Sequence, residues 1–203
     1  MPALIKGKDE NGVDRDIKVT PGGLAYTVDQ RIIWTAKGYG YQAMATAAVA
    51  ALVVRPDTTA IATIRNNSSN KALVIEEAFA HNLVAIANGS FSIWLCSHPA
   101  GMAAITNDIT VRNPTNGDVA GGSETSFDNG ATVNDNGWFP WGTSIHNVTI
   151  TVPGGMAIAP VNGRIIVPPT GGISLSVVGG TTSITVTAGF RWFEVPVSEL
   201  LLA

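Results

Sequence analysis

Charge is the scarcest ingredient of this sequence: Asp, Glu, Lys and Arg make up 13% of it, about half of the roughly 25% found in an ordinary soluble domain. A chain so composed must cover itself with Ser, Thr, Asn, Gly and small apolar groups. Such a surface suits a packed assembly better than a free monomer. The formal net charge is −3, so no basic stripe is available to neutralise phosphates, and direct binding of DNA or RNA is not expected. Cysteine is nearly absent. The single Cys96 cannot form an internal disulfide, and its place in the apolar run Phe91–Cys96 marks it as a small buried hydrophobe. The longest apolar stretch, Ala43 to Val54, is too short to span a bilayer, so no membrane insertion is expected. The opening Met1–Lys8 has no apolar core followed by a cleavage site, which gives an expectation of synthesis in a cytoplasm.

Catalytic patterns are missing as well. His81, His98 and His146 do not stand at a metal-ligand spacing such as H-x-H or H-E-x-x-H. There is no G-x-S-x-G, and Ser97-His98 is an adjacent pair with no positioned carboxylate. Glu76 and Glu77 are neighbours, and on a regular strand neighbours point to opposite faces, so at most one faces the core and the two cannot act on one atom. A glycosidase needs two carboxylates roughly 5 to 9.5 Å apart across a cleft, and no pair here is marked out for that. Asp118, Glu124, Asp128 and Asp135 could offer hard oxygen ligands to Ca²⁺, but their spacing matches no EF-hand loop, and a solvated acidic loop is the expected reading. The chain is therefore expected to be non-enzymatic and to need no cofactor or metal.

What is present points to β structure. From Thr59 onward, alternating apolar runs are bounded by Gly, Pro or Asn: Thr59–Asn66, Ala72–Phe79, Ser90–Cys96, Ile145–Val152, Arg164–Val167, Ile173–Val178 and Ser183–Val195. About seven or eight short strands with few helical stretches predict an all-β fold, a jelly-roll-like β-sandwich spanning residues 32–203. Ala43–Val54 is predicted as a strand, with helix as the alternative that its Ala content allows. Residues 113–137, rich in Asn and Gly and free of basic residues, are predicted as one long loop. Residues 1–31 differ from the body in holding ten of the chain's 27 formal charges, with turn signals at Asn11-Gly12 and Pro21-Gly22-Gly23. They are predicted to form an extended N-terminal arm. By contrast, Arg164 is the only formally charged residue from Trp138 to Phe190, which predicts covered or oligomer-facing strand faces. Trp138, Phe139 and Trp141 crowd the end of the long loop. They read as an anchor packed into the core or a subunit interface, with a sugar-stacking platform as the sharper alternative.

The segment Ile5-Lys6-Gly7-Lys8-Asp9-Glu10-Asn11-Gly12-Val13-Asp14-Arg15-Asp16-Ile17-Lys18-Val19, followed by Gly23-Leu24, resembles the leader of many tailed-bacteriophage virion proteins. Lys71–Ala80 and Arg164–Pro169 resemble a middle and a late strand of the same proteins. The likeness is to the capsid decoration, or cement, kind. It implies a jelly-roll-like body with an arm, a homotrimer, and the major capsid protein as partner. It also implies a place on the virion capsid surface after synthesis in the host bacterial cytoplasm. On that reading Leu4, Ile5, Ile17 and Val19 of the arm would supply apolar contacts to the capsid. The alternative is a receptor- or carbohydrate-binding module of a tail fibre or spike, using Trp138 and Trp141.

Overall fold

The computed structural model describes residues 29–82, 89–115, 117, 122–146 and 156–200, together with the short stretches 6–8 and 14–16. The arm residues Leu4, Ile5, Ile17 and Val19 lie outside the described residues. Strands β1 (Lys6–Lys8) and β2 (Asp14–Asp16) pair antiparallel as a small hairpin. Helix α1 (Gln30–Ala36) is capped by Asp29, whose carboxylate accepts the Arg31 N–H at 2.9 Å. A helix this short does not persist alone. It is held by Trp34, which packs with Val74 and Val195 and lies 5.5 Å from the ring of Phe193. α1 spans residue 31, so the charged N-terminal segment runs into the body through an element that packs on the body.

The body consists of β3 (Gly40–Met44), β4 (Val49–Ala50), β5 (Ala62–Asn66), β6 (Lys71–Asn82), β7 (Gly89–His98), β8 (Thr125–Asp128), β9 (Phe139–His146), β10 (Met156–Val167), β11 (Gly172–Gly179) and β12 (Thr185–Pro196). A 3-10 turn, Val197–Leu200, follows. The strands form two five-stranded antiparallel sheets packed as a sandwich. The first runs β10-β6-β12-β3, with β4 continuing beside β12; the second runs β8-β5-β11-β7-β9. The core lies between them, and period-two alternation places its residues there. On β10, for example, Ala157, Ala159 and Val161 point inward while Met156, Ile158 and Pro160 point out. Phe127, Phe190, Trp192, Ile64, Ile93 and Leu175 fill the middle; side chains buried so fully contribute roughly 1.5–3 kcal/mol each.

Several predicted elements change in detail. Ala43–Val54 is extended, as predicted, but is divided into β3 and β4: Met44 pairs with Gly189 and Val49 with Val186, so the chain carries more residues between the two pairs than β12 does. The surplus loops out at Thr46-Ala47. The predicted loop 113–137 contains β8, which adds to β5 through Phe127↔Ile64, because Phe127 completes the core beside Phe190 at 6.4 Å. Of the predicted strand Ile145–Val152, Ile145 and His146 are strand residues, the end of β9, which begins at Phe139; residues 147–155 lie outside the described residues. Helix α1 had no counterpart in the sequence reading.

Glu76 and Glu77 depart from the opposite-face expectation. Ile75 and Ala78 both point into the core, and against β12 the pairing slips by one, since Glu77 pairs with Arg191 while Ile75 pairs with Trp192; on the other side β10 loops out residues 161–164 between Pro160↔Glu77 and Ile165↔Ile75. The extra residue of β6 is a β-bulge, which lets two successive side chains leave on the same face. Glu76 bonds Arg31 of α1 at 3.1 Å, and Glu77 bonds Arg191.

Candidate functional site

The three aromatics at the end of the long loop go three separate ways. Trp138 is buried with Ala60, Cys96, Ala131 and Val133, and its indole N–H donates to the Asp57 carbonyl at 2.6 Å. Phe139 is 68% exposed. Trp141 is the bulged residue of β9, partly buried against the main core; its indole N–H donates to the Pro160 carbonyl at 3.1 Å, and the Arg164 guanidinium stands 5.2 Å from its ring. No shared platform results.

Trp138 belongs to a lid over the outer face of the second sheet. Residues 131–138 and the segment from Met102 to Thr106 lie across β5, β11 and β7, with Met102 and Ile105 packed against the Trp138 cluster. The lid is clamped at several points. Ala60 N–H donates to Ala131 O and Val133 N–H to Thr58 O, while Arg55 grips Asp135 through two bonds of 2.7 and 3.0 Å. That guanidinium holds the Asp135 carboxyl down at about 2. Met102 can cross β11 because Gly172 has no side chain; a Cβ there would lie 2.8 Å from the Ile64 carbonyl oxygen and would strike the Met102 sulfur.

Beneath the lid runs a buried polar chain. Thr63 Oγ1 and Ser174 Oγ are 2.9 Å apart, Ser174 Oγ meets His98 Nε2 at 2.8 Å, and Asn136 Nδ2 lies 3.1 Å from His98 Nδ1. With the Asn136 amide donating to Nδ1, the imidazole proton sits on Nε2 and is donated to Ser174. The serine therefore accepts from the histidine and has no exposed surface, so it is not presented to a substrate as an activated nucleophile would be. Burial pushes the His98 pKa down. His81 lies on the opposite sheet, and the side chain of His146 is outside the described residues.

The acidic residues of the loop are also dispersed. Glu124 bonds Lys71 at 2.6 Å, Asp128 accepts the Thr106 N–H at 3.0 Å, and Asp135 is held by Arg55; Asp118 is outside the described residues. Burial raises the Asp128 pKa. Among the described residues no three of His, Cys, Asp and Glu gather as a metal-binding group. The sequence reading missed Glu194, a fully buried carboxylate on β12. It accepts from Ser123 Oγ at 2.6 Å, Thr125 Oγ1 at 2.7 Å and the Glu124 N–H at 2.9 Å, and so pins the entry to β8. A Glu inside an apolar run ending at Val195 was the available signal.

Among the described residues, the outer face of the first sheet has no such lid. α1 covers one end. At the other end a groove of about 730 Å³ crosses the strands, with Met156, Phe79 and Met44 along it, His81 and Arg191 beside them, and Asp108 and Arg112 at the rim. Gly189 lets the Phe79 ring lie across β12: a Cβ there would meet the Ala43 carbonyl oxygen and would lie 2.7 Å from the Phe79 ring. Arg191 stands over that ring at 5.2 Å. Of the nine large hydrophobics exposed among the described residues, six lie on this face or on α1 above it: Ile32, Ile33, Met44, Met156, Ile158 and Ile166. Two outer faces of one sandwich thus have opposite fates. Among the described residues no helix is long and apolar enough to cross a membrane. No family model, curated protein or solved structure matches this chain.

Proposed function

We propose that this chain is a non-enzymatic structural protein of a bacteriophage virion that decorates the capsid and stabilises it by bridging major capsid subunits. The observation that carries the reading is the division of charge. Ten formal charges sit in residues 1–31, and one sits between Trp138 and Phe190. A charged leader suits registration on a partner, while a charge-poor sandwich suits close packing in an assembly. The leader's resemblance to tailed-phage virion proteins supports the same reading. The strand order adds to it, because β3-β12-β6-β10 facing β5-β11-β7-β9 is an order in which the chain passes repeatedly between sheets, as in a jelly roll. The positions of Trp138, buried as part of the lid, and of Trp141 beside Arg164 favour this reading over a sugar-stacking module.

Stabilisation follows from linkage: a protein that binds the assembled shell better than separated subunits shifts the equilibrium toward the shell by that difference. Several copies joined together, a trimer in the family resembled, strengthen weak contacts because later attachments are effectively intramolecular. Particles lacking the protein are expected to assemble normally but to release DNA at lower temperature, and added protein is expected to restore resistance. Unchanged particle stability with lost adsorption to host cells would reject cementing in favour of receptor binding.

A further inference from the structure

We propose that the outer face of the first sheet is a contact surface for a second copy of this chain, with α1 of each copy seated in the groove of the other. The inference sharpens the self-association in the reading above and does not depend on a capsid. It starts from two features on one face. α1 raises Ile32, 62% exposed, and Ile33 above the sheet at the end marked by Val74 and Phe193. The groove lined by Met44, Phe79 and Met156 lies at the other end, with Ile158 on its flank. The two are separated by five to seven residues along β6, from Val74 to Phe79 and His81, or roughly 20 Å at about 3.3 Å per residue.

A projection and a recess on the same face meet only when two copies face one another. A two-fold rotation then places each α1 over the opposite groove, so that both contacts form at once. The size is adequate. Three twelve-residue strands roughly 40 Å long and the five-residue β3, spaced about 4.8 Å apart, give a face of about 650 Å², within the roughly 600–1,000 Å² per partner of stable interfaces. The chemistry is suited too, because the row Ile158, Phe79, Gly189 and Met44 crosses the sheet without a charge. The second sheet shows what this chain does with an apolar outer face: it covers that one with its own residues 102–106 and 131–138. The arrangement is two-fold, whereas the family resemblance implies three-fold association, so mass separates the two.

The test is sedimentation of the full chain at micromolar concentration, with circular dichroism and a thermal transition confirming that each variant folds. The wild type is expected at twice 21.1 kDa. Ile158→Lys on β10 and Ile32→Lys on α1, at opposite ends of the face, are each expected to weaken pairing by at least about tenfold. Val54→Lys, equally exposed but away from this face, is expected to leave it unchanged. A wild-type monomer, or an oligomer that both lysine variants leave intact, would overturn the proposal. The capsid reading is scored separately by particle stability.

Discussion

The lid over the second sheet and the open face of the first are both built on apolar rows, yet among the described residues only one row is covered by the chain itself. On the first sheet the row is flanked by the charges of Glu76, Glu77 and Arg191. Over β5, β11 and β7 the chain supplies Met102, Ile105, Ala131, Val133 and Trp138, and fixes them with Arg55–Asp135 and the Trp138–Asp57 bond. Over β10, β6 and β3 the described residues supply only α1 and leave Met44, Met156 and Ile158 between 42% and 48% exposed. Low surface charge therefore has two causes in one molecule. A sequence poor in charge calls for cover, and the cover can come from the same chain or from another.

The largest expected effect breaks the lid. Trp138→Ala removes a buried indole and its hydrogen bond, and is expected to destabilise the fold by about 3 kcal/mol in chemical denaturation. Little loss would mean that the lid is not part of the cooperative unit. The second effect is in pH. His98 is held neutral by burial beneath the lid, its folded pKa lying below the unfolded value of about 6.5. Its contribution is complete above that unfolded value and is lost as pH falls toward the folded one, because the unfolded chain then binds the proton more readily. Denaturation midpoints are expected to fall between pH 7 and 5 in the wild type and to fall less in His98→Gln.

A smaller effect belongs to Asp135, whose carboxyl is held at about 2 by Arg55, below an unfolded value near 3.9. The stability it supplies is present above about pH 4 and fades between there and pH 2. Asp135→Asn is expected to flatten that part of the acid profile, read by the same denaturation. The pair is exposed to solvent, so added salt is expected to reduce the difference. Smallest of all is Ile158→Ser on the open face. In dilute monomer it is expected to change stability by no more than about 0.5 kcal/mol, as for other surface substitutions. A large loss would place Ile158 in the monomer's own packing.

Much of this fold was legible from local pattern. β5, β7, β11 and much of β12 alternate apolar and polar residues between Gly, Pro and Asn boundaries, β6 is an apolar run broken by Glu76-Glu77, and each is a strand where its pattern puts it. What escaped depends on partners distant in the chain. The bulge that turns Glu76 and Glu77 to one face is set by the register against β12, and nothing in the glutamates themselves marks it. β8 is four residues in an Asn- and Gly-rich stretch, stabilised by Phe127 reaching a core built elsewhere. The charge-poor stretch from Trp138 to Phe190 suggested cover, as the lid bears out for β11. It carried no sign of which face the chain would cover itself, because the lid residues come from before that stretch and, with Trp138, from its first position.

The comparison of the two faces is tested most directly by methionine oxidation followed by peptide mass spectrometry over a range of protein concentrations. Met44 and Met156 report the open face and Met102 the lid. At high dilution Met44 and Met156 are expected to oxidise faster than Met102. As concentration rises they are expected to become protected while the rate at Met102 stays constant. Rates at Met44 and Met156 that do not change with concentration, or a Met102 as reactive as either in dilute solution, would contradict the account.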